Sequence, residues 1–151
     1  MNAKRTPDRA AVAAAPFGSH RFNVQWTGAG AAPPLGFSQV LMPALSASAE
    51  KATAAAPSDI AFPPPGHLVL RRAFDGQRAL QQWWQRVQQG KLRTPRTVTV
   101  QLLAADNDDA VMQWRFMGAR PASLAWSALD AMVPALLTET LVLSFEQVEL
   151  L

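Results

Sequence analysis

The sequence contains no cysteine and carries only a small excess of positive charge. Without cysteine the chain forms no disulfide, no thiolate metal site and no cysteine nucleophile. The net charge of +3 comes from 14 basic and 11 acidic residues, and three of the basic ones are Lys4, Arg5 and Arg9. The remaining chain is close to neutral, so its composition does not indicate a general basic surface for nucleic acid.

Long apolar runs are also missing. No run approaches the ~18 residues that a membrane-spanning helix needs, so no membrane span is predicted. Residues 1–17 are rich in alanine, proline and charge without periodicity, and we interpret them as a flexible tail and not as a signal peptide. With 151 residues and 49% hydrophobic content, the chain is long enough for one domain with a real core, predicted at residues 18–151.

The motifs of common enzyme families are absent from the sequence. It has no Gly-x-Ser-x-Gly elbow, no Gly-x-x-x-x-Gly-Lys phosphate loop and no His-Glu-x-x-His pair. The two histidines, His20 and His67, have no partner motif nearby. We therefore expect no enzymatic activity, no catalytic residue, no cofactor and no metal.

Alternating apolar and polar residues predict most of the fold. In "RFNVQW", Phe22, Val24 and Trp26 face one way and polar residues the other, as in a half-buried strand. Further strands are predicted in "GFSQVLMPAL", "HLVLRRAF", "RTVTVQLL", "VMQWRF" and "TETLVLSFEQVEL". About six strands and one helix indicate a mainly β fold, a sandwich or barrel with one packed α-helix.

The helix is predicted in "DGQRALQQWWQRVQQGK". Leu80, Trp83 or Trp84, and Val87 follow helical spacing, and Gly90 is placed to end the helix. A Trp pair on a short helix is typical of a core anchor. A second, short helical turn is expected in "SLAWSALDAMVPAL".

The segment 46–65 is rich in alanine and proline and is predicted to be a long loop. Loops of this length are uncommon in compact domains and are often functional or ordered by a partner. We expect this loop to become ordered on contact with a partner.

Asp106, Asp108 and Asp109 form the densest acidic cluster of the chain. Counted from Asp106, the fifth, sixth and twelfth positions lack the ligand, the glycine and the glutamate of a calcium loop. The cluster lies between two strand patterns, and Asp and Asn tolerate tight turns. We interpret it as the tip of a β-hairpin.

Basic side chains cluster twice in the predicted domain, at Arg71 and Arg72 and at Lys91, Arg93 and Arg96. A nucleic-acid site would require aromatic residues interleaved with these, and the sequence does not show them. We therefore expect no specific nucleic-acid recognition. A charged pair on a strand is typical of a solvated or partner-facing surface.

The order of these segments resembles the tail-tube protein family of contractile phage tails and related bacterial injection systems. The resemblance covers about residues 18–151. Its features are the Phe22–Val24 strand, the Gly36-Phe37 pair, Leu70-Arg71-Arg72, the Leu80–Trp83 helix core, Trp114–Phe116, Ala119–Pro121 and the final strand at Thr138–Glu149.

The resemblance implies a structural subunit that forms rings, expected to be hexameric, which stack into a hollow tube. Its partners would be further copies of itself and sheath, spike and baseplate proteins. It would be assembled in the cytoplasm and then form part of a phage tail or injection particle. The residues that would define the core are Phe22, Val24, Phe37, Leu80, Trp83, Trp114, Phe116 and Pro121. Contacts between subunits are predicted at Arg71, Arg72, Glu139 and Glu146.

Two departures from the family pattern leave alternatives open. Leu41-Met42-Pro43 and Ala73 stand where tube proteins often have small residues or glycine, which suits an adaptor or tube-initiator ring joining the tube to a spike or baseplate. From another class, the chain could be a small β-barrel that binds an apolar ligand, with four tryptophans lining the pocket: Trp26, Trp83, Trp84 and Trp114. The sequence does not distinguish DNA from protein as the cargo.

Overall fold

A computed structural model describes residues 16–27, 36–45, 63–91 and 95–151. These residues form seven β-strands and one α-helix. In chain order they are β1 (Phe22–Thr27), β2 (Gln39–Leu41), β3 (His67–Ala73), α1 (Ala79–Gln88), β4 (Arg96–Leu103), β5 (Ala110–Trp126), β6 (Thr138–Ser144) and β7 (Gln147–Leu150). Most of the predicted flexible tail and of the loop 46–65 lies outside the described residues.

All the strand pairings are antiparallel. The sheet order is β1-β4-β5-β6-β3-β2, and β7 pairs with β5 beside this path. The register places apolar residues opposite each other, as with Val24 and Val100 in β1 and β4, and Leu70 and Leu141 in β3 and β6. Because side chains alternate along a strand, this register gathers the apolar faces on one side of the sheet.

The long strand β5 joins the two halves of the sheet. One half contains β1, β4 and β7, and the other contains β6, β3 and β2. Its first part pairs with β4 and β7, and its last part, from Arg120 to Trp126, pairs with β6. Gly118 lies at the change of partner and has a φ of 71°. A Cβ at this position would lie 2.9 Å from the Cγ and Cδ atoms of Glu146. A second irregularity, between Pro121 and Ser123, shifts the register against β6.

The hydrophobic core lies between the strands and α1. The helix contributes Leu80 and Trp83, and the Trp83 ring packs on Trp26 at a centroid distance of 5.9 Å. The guanidinium of Arg96 lies 4.4 Å from the centre of the Trp83 ring, in a cation–π contact. Besides Trp26, the buried members from the strands are Val24, Leu68, Leu70, Val98, Val100, Phe116, Ala119, Leu141 and Leu143.

The sequence of helix α1 explains which of its faces packs on the sheet and where the helix ends. Leu80, Trp83 and Val87 recur at three- and four-residue spacing, so one stripe of the helix packs against the sheet. The helix ends where Gly90, with a φ of 70°, donates its N–H to Val87 O. In the described part of the chain, no helix is long and apolar enough to cross a membrane.

The predicted fold class, mainly β with one packed helix, is confirmed. The prediction of a short helical turn after Ser123 is wrong. Residues Ser123–Trp126 continue β5, because they pair with β6, and the segment 127–137 contains a turn and no helix. Pro134 also removes a backbone donor that a helix there would use.

The last predicted strand is two strands. The break comes at Phe145 and Glu146, where the chain changes neighbours. Phe145 donates its N–H to Gly66 O, whereas Glu146 donates to Met117 O on β5. The hairpin predicted at the acidic cluster is confirmed, since β4 ends at Leu103 and β5 begins at Ala110 opposite it.

Replacing Gly118 with alanine is expected to lower the free energy of unfolding by about 2 kcal/mol or more, because the positive φ and the contact with Glu146 act together. Gly76 has a φ of 97° and nothing within 4 Å of a Cβ, so Gly76→Ala should cost about 1 kcal/mol for the backbone alone. Gly36→Ala, with neither constraint, serves as the control. Urea denaturation measures all three, and equal effects at Gly118 and Gly76 would exclude the steric contribution.

Candidate functional site

The connection between β5 and β6 is an exposed apolar surface. We call residues 127–137 the apolar loop. Four of its large side chains are more than half exposed: Leu129 at 88%, Met132 at 87%, Leu136 at 79% and Val133 at 54%. The loop is concave and lines a cavity of about 680 Å³. Contiguous apolar exposure of this kind marks interaction sites on soluble proteins.

The stem of the apolar loop is fixed by backbone hydrogen bonds. Ser127 donates its N–H to Thr138 O at 2.9 Å, and Thr138 donates its N–H to the Ser127 hydroxyl, also at 2.9 Å. Phe74, just after β3, donates to Leu137 O at 2.8 Å. Within the loop, the Asp130 carboxylate accepts the N–H of Met132 and forms an Asx-type turn. The loop therefore has a defined backbone although its apolar side chains face outward.

A buried carboxylate lies directly beneath this stem. Glu139 in β6 is fully buried, and its Oε1 accepts a hydrogen bond from Arg72 Nη1 of β3 at 3.0 Å. Its Oε2 accepts hydrogen bonds from Gln81 Nε2 of α1 at 3.0 Å and from Trp126 Nε1 of β5 at 3.1 Å. Four elements thus meet at one side chain. We call these residues, with Asp75, the Glu139 network.

Arg72 has a second acidic partner. Its Nη2 lies 2.6 Å from Oδ1 of Asp75, which also accepts the N–H of Gln77 at 3.0 Å. The hydrogen bond from Arg72, and then that from Gln77, hold the pKa of Asp75 below its usual value. Two carboxylates therefore compensate the charge of the buried guanidinium.

The four residues predicted to contact other subunits lie in two different environments. Arg72 and Glu139 are inside the fold and bind each other, so their charges are used within the subunit. Arg71 is half-buried and donates to Gln39 Oε1 of β2 at 2.9 Å. Glu146 is exposed beside Gly118. A role of these residues in contacts between subunits stays a prediction.

Seven of the eight residues predicted to define the core lie in or against the buried cluster. Val24, Leu80, Trp83 and Phe116 belong to the buried cluster. The others differ in burial: Phe22, Phe37 and Trp114 are partly buried and pack on the cluster, and Pro121 is buried in β5.

The four tryptophans proposed for an apolar ligand pocket lie in three different surroundings. Trp26 and Trp83 pack on each other inside the core. Trp84 is half-buried on α1, and Trp114 lies in a groove of about 490 Å³ beside Phe22 and Met42.

The acidic cluster has a structural partner. Arg21, just before β1, binds the Asp108 carboxylate at 2.8 Å, the Asn107 carbonyl at 2.9 Å and the Ala104 carbonyl. The Asn107 side chain accepts the N–H of Asp109 at 2.8 Å, which shapes the turn. Among the residues that the structure describes, no group of His, Cys, Asp and Glu side chains is arranged to hold a metal ion. The cluster therefore belongs to the hairpin and ties it to β1.

Comparison with known proteins gives a family match over most of the chain. The model of the family described as T4-like virus tail tube protein gp19 matches residues 18–149. No curated protein sequence matches the chain at a significant level.

Several solved structures contain chains with the same fold. A chain of the anti-feeding prophage (AFP) baseplate has a TM-score of 0.68 at 21% identity, over 91% of this chain and 97% of that one. A chain of the sheath–tube complex of PVC, an extracellular contractile injection system in its extended state, has a TM-score of 0.63 at 20% identity over 99% of both chains. Hcp1 from Flavobacterium johnsoniae has a TM-score of 0.52 at 18% identity, over 85% of this chain and 94% of that one.

Replacing Glu139 with alanine is expected to lower the free energy of unfolding by about 3–5 kcal/mol, because it leaves the buried Arg72 without its main partner. Glu149→Ala is the matched control. It breaks the Arg115–Glu149 pair, in which both side chains are more than 40% exposed, and should cost less than about 1 kcal/mol. Urea denaturation of both variants measures the difference, and similar losses would contradict a special role for the buried pair.

Replacing Asp75 with asparagine tests the pH dependence of the network. Because the pKa of Asp75 is lowered in the folded state, the carboxylate stabilises the fold fully above the unfolded aspartate pKa of about 3.9. This stabilisation is lost as the pH falls through the lower, folded pKa. The difference in unfolding free energy between wild type and Asp75→Asn should therefore shrink below about pH 4. A difference that stays constant down to pH 2 would argue against the ionic contact.

Proposed function

This chain belongs to the T4-like virus tail tube protein gp19 family, and we propose that it is a structural subunit of the inner tube of a contractile phage tail or a phage-tail-like injection system. In this role, copies form rings that stack around a lumen through which cargo passes. The family match over residues 18–149 is the observation that carries the proposal.

The exposed apolar loop supports self-association. A soluble subunit that presents Leu129, Met132 and Leu136 almost fully to water gains free energy when another molecule covers them. In the assembled tube, the surface of a neighbouring copy covers these side chains. We assign the apolar loop, with the half-exposed Trp126, to contacts between subunits.

The unpaired edges of the sheet also support self-association. In the described parts of the chain, β1 pairs only with β4 and β2 only with β3, so each has an unpaired side. Exposed edges favour pairing with other chains, and the closure of a ring is one way to satisfy them. A ring of six copies, each contributing the domain of residues 18–151, is the arrangement that we propose.

The proposed partners follow from the assemblies in which similar chains are found. Those assemblies are a baseplate and a sheath–tube complex. We propose that this chain contacts further copies of itself and sheath, spike and baseplate proteins, and that assembly takes place in the cytoplasm. The role is structural and includes no catalytic step and no specific recognition of nucleic acid.

Negative-stain microscopy of the purified protein tests the proposal. Rings or tubes with a central hole are the expected result. Single rings that never stack would favour an adaptor or tube-initiator ring instead. A protein that stays monomeric at high concentration and binds apolar ligands would contradict the proposal and favour the small β-barrel binder.

The double variant Leu129→Ser/Leu136→Ser is expected to raise the protein concentration needed for assembly at least about a hundredfold, since each buried leucine contributes about 1.5–3 kcal/mol. Because both side chains are exposed in the subunit, its unfolding free energy should change by less than about 0.5 kcal/mol. Light scattering across a dilution series measures assembly, and urea denaturation measures stability.

The matched control is Val111→Ser, which removes an exposed apolar side chain near the opposite end of β5. It should assemble as the wild type does. If the control loses assembly and the double variant keeps it, the apolar loop is not the contact surface.

A further inference from the structure

We propose that Glu139 is a positioning residue for self-association, which holds the apolar loop in its contact orientation through the indole N–H of Trp126. The proposal rests on the proposed function, because it assigns a role in subunit contacts. Glu139 itself is fully buried and touches no solvent, so it acts through Trp126 and not by direct contact with another copy.

The hydrogen bonds of the Glu139 carboxylate hold this group in one position. Oε1 is occupied by Arg72 Nη1, and Oε2 accepts from both Gln81 Nε2 and Trp126 Nε1, all at 3.0–3.1 Å. Arg72 is itself held by Asp75. A buried carboxylate with this many donors has one favourable position, because displacing it would leave charged groups without partners in a place that water does not reach.

Trp126 connects this carboxylate to the surface. It is the last residue of β5, it lies opposite Glu139 in the pairing with β6, and its side chain is 48% exposed. One edge of the indole therefore binds the buried carboxylate, while the ring also borders a groove that contains Ser127 and Thr138 at the base of the loop. The orientation of the ring is thus set from inside the subunit.

The large apolar side chains of the loop do not orient it. Leu129, Met132 and Leu136 are 79–88% exposed, so their side chains do not anchor the loop in the core. Backbone hydrogen bonds tie the loop to neighbouring elements at its two ends, at Ser127 and Leu137. Ser127 directly follows Trp126 of the Glu139 network, and Leu137 directly precedes β6, the strand that contains Glu139. A change in the network therefore changes the stem, and the stem sets where the exposed leucines point.

Fixing a contact surface before association lowers the entropy lost when two copies meet. A loop that samples several orientations assembles at a higher concentration, even when the same side chains are present. The Glu139 network would lower the assembly concentration in this way.

The test uses the full chain with two variants that disturb the network at different places. Trp126→Phe removes the N–H donor and retains an aromatic ring. Gln81→Met removes the donor on α1 without altering the apolar surface. The controls are Trp114→Phe, a half-buried tryptophan outside the network, and Gln85→Met, an exposed glutamine on the same helix.

Two measurements are made on each protein. Hydrogen exchange of the Ser127 and Thr138 amides is followed in dilute, unassembled subunits, and the assembly concentration is measured by light scattering. We expect both network variants to exchange these amides about tenfold faster and to assemble at about tenfold higher concentration. Both controls should match the wild type.

Unchanged exchange in both network variants would overturn the proposal, since the stem would then be independent of Glu139. Faster exchange with an unchanged assembly concentration would also overturn it, because the orientation of the loop would then not matter for association. If the wild type itself does not assemble, the proposed function and the assembly role both fail, and the exchange measurement still decides whether Glu139 fixes the loop.

Discussion

The ion pair between Glu139 and Arg72 determines how the parts of this subunit meet. Removing two charges from water is costly, and a fold retains them only when their hydrogen bonds are satisfied by nearby groups. The Glu139 carboxylate meets this condition by drawing donors from β3, α1 and the end of β5. The helix, the sheet and the base of the apolar loop are therefore held at one point, and a shift in any of them disturbs the others.

Hydrophobic periodicity predicts much of the fold. Where residue type and periodicity disagree about whether a side chain is buried, periodicity gives the right answer. The strands β1, β3 and β4 and the helix lie where alternation and helical spacing predict them. Charge alone suggested that Arg72 and Glu139 lie on the surface. Glu139 is two residues before Leu141, however, and Arg72 two residues after Leu70, so both share the face of buried leucines. The burial of this pair was readable from strand parity.

Other features could not be read from local sequence. Leu129, Met132, Val133 and Leu136 have the three- and four-residue spacing of a helix, which explains the wrong prediction of a helical turn there. Their exposure depends on tertiary structure, because β5 continues to Trp126 and projects the loop beyond the sheet. The change of partners at Gly118 is likewise a property of how distant strands pair. Similar chains at 20–21% identity have the same overall fold.

The continuity of β5 has a mechanical consequence. One continuous strand runs through both halves of the sheet, so the halves are joined by its backbone as well as by hydrogen bonds. Pulling the two halves apart along the strand direction would load several hydrogen bonds of β5 at once. A force applied along β5 therefore passes from one half of the sheet to the other through the backbone of a single strand, across the change of partner at Gly118.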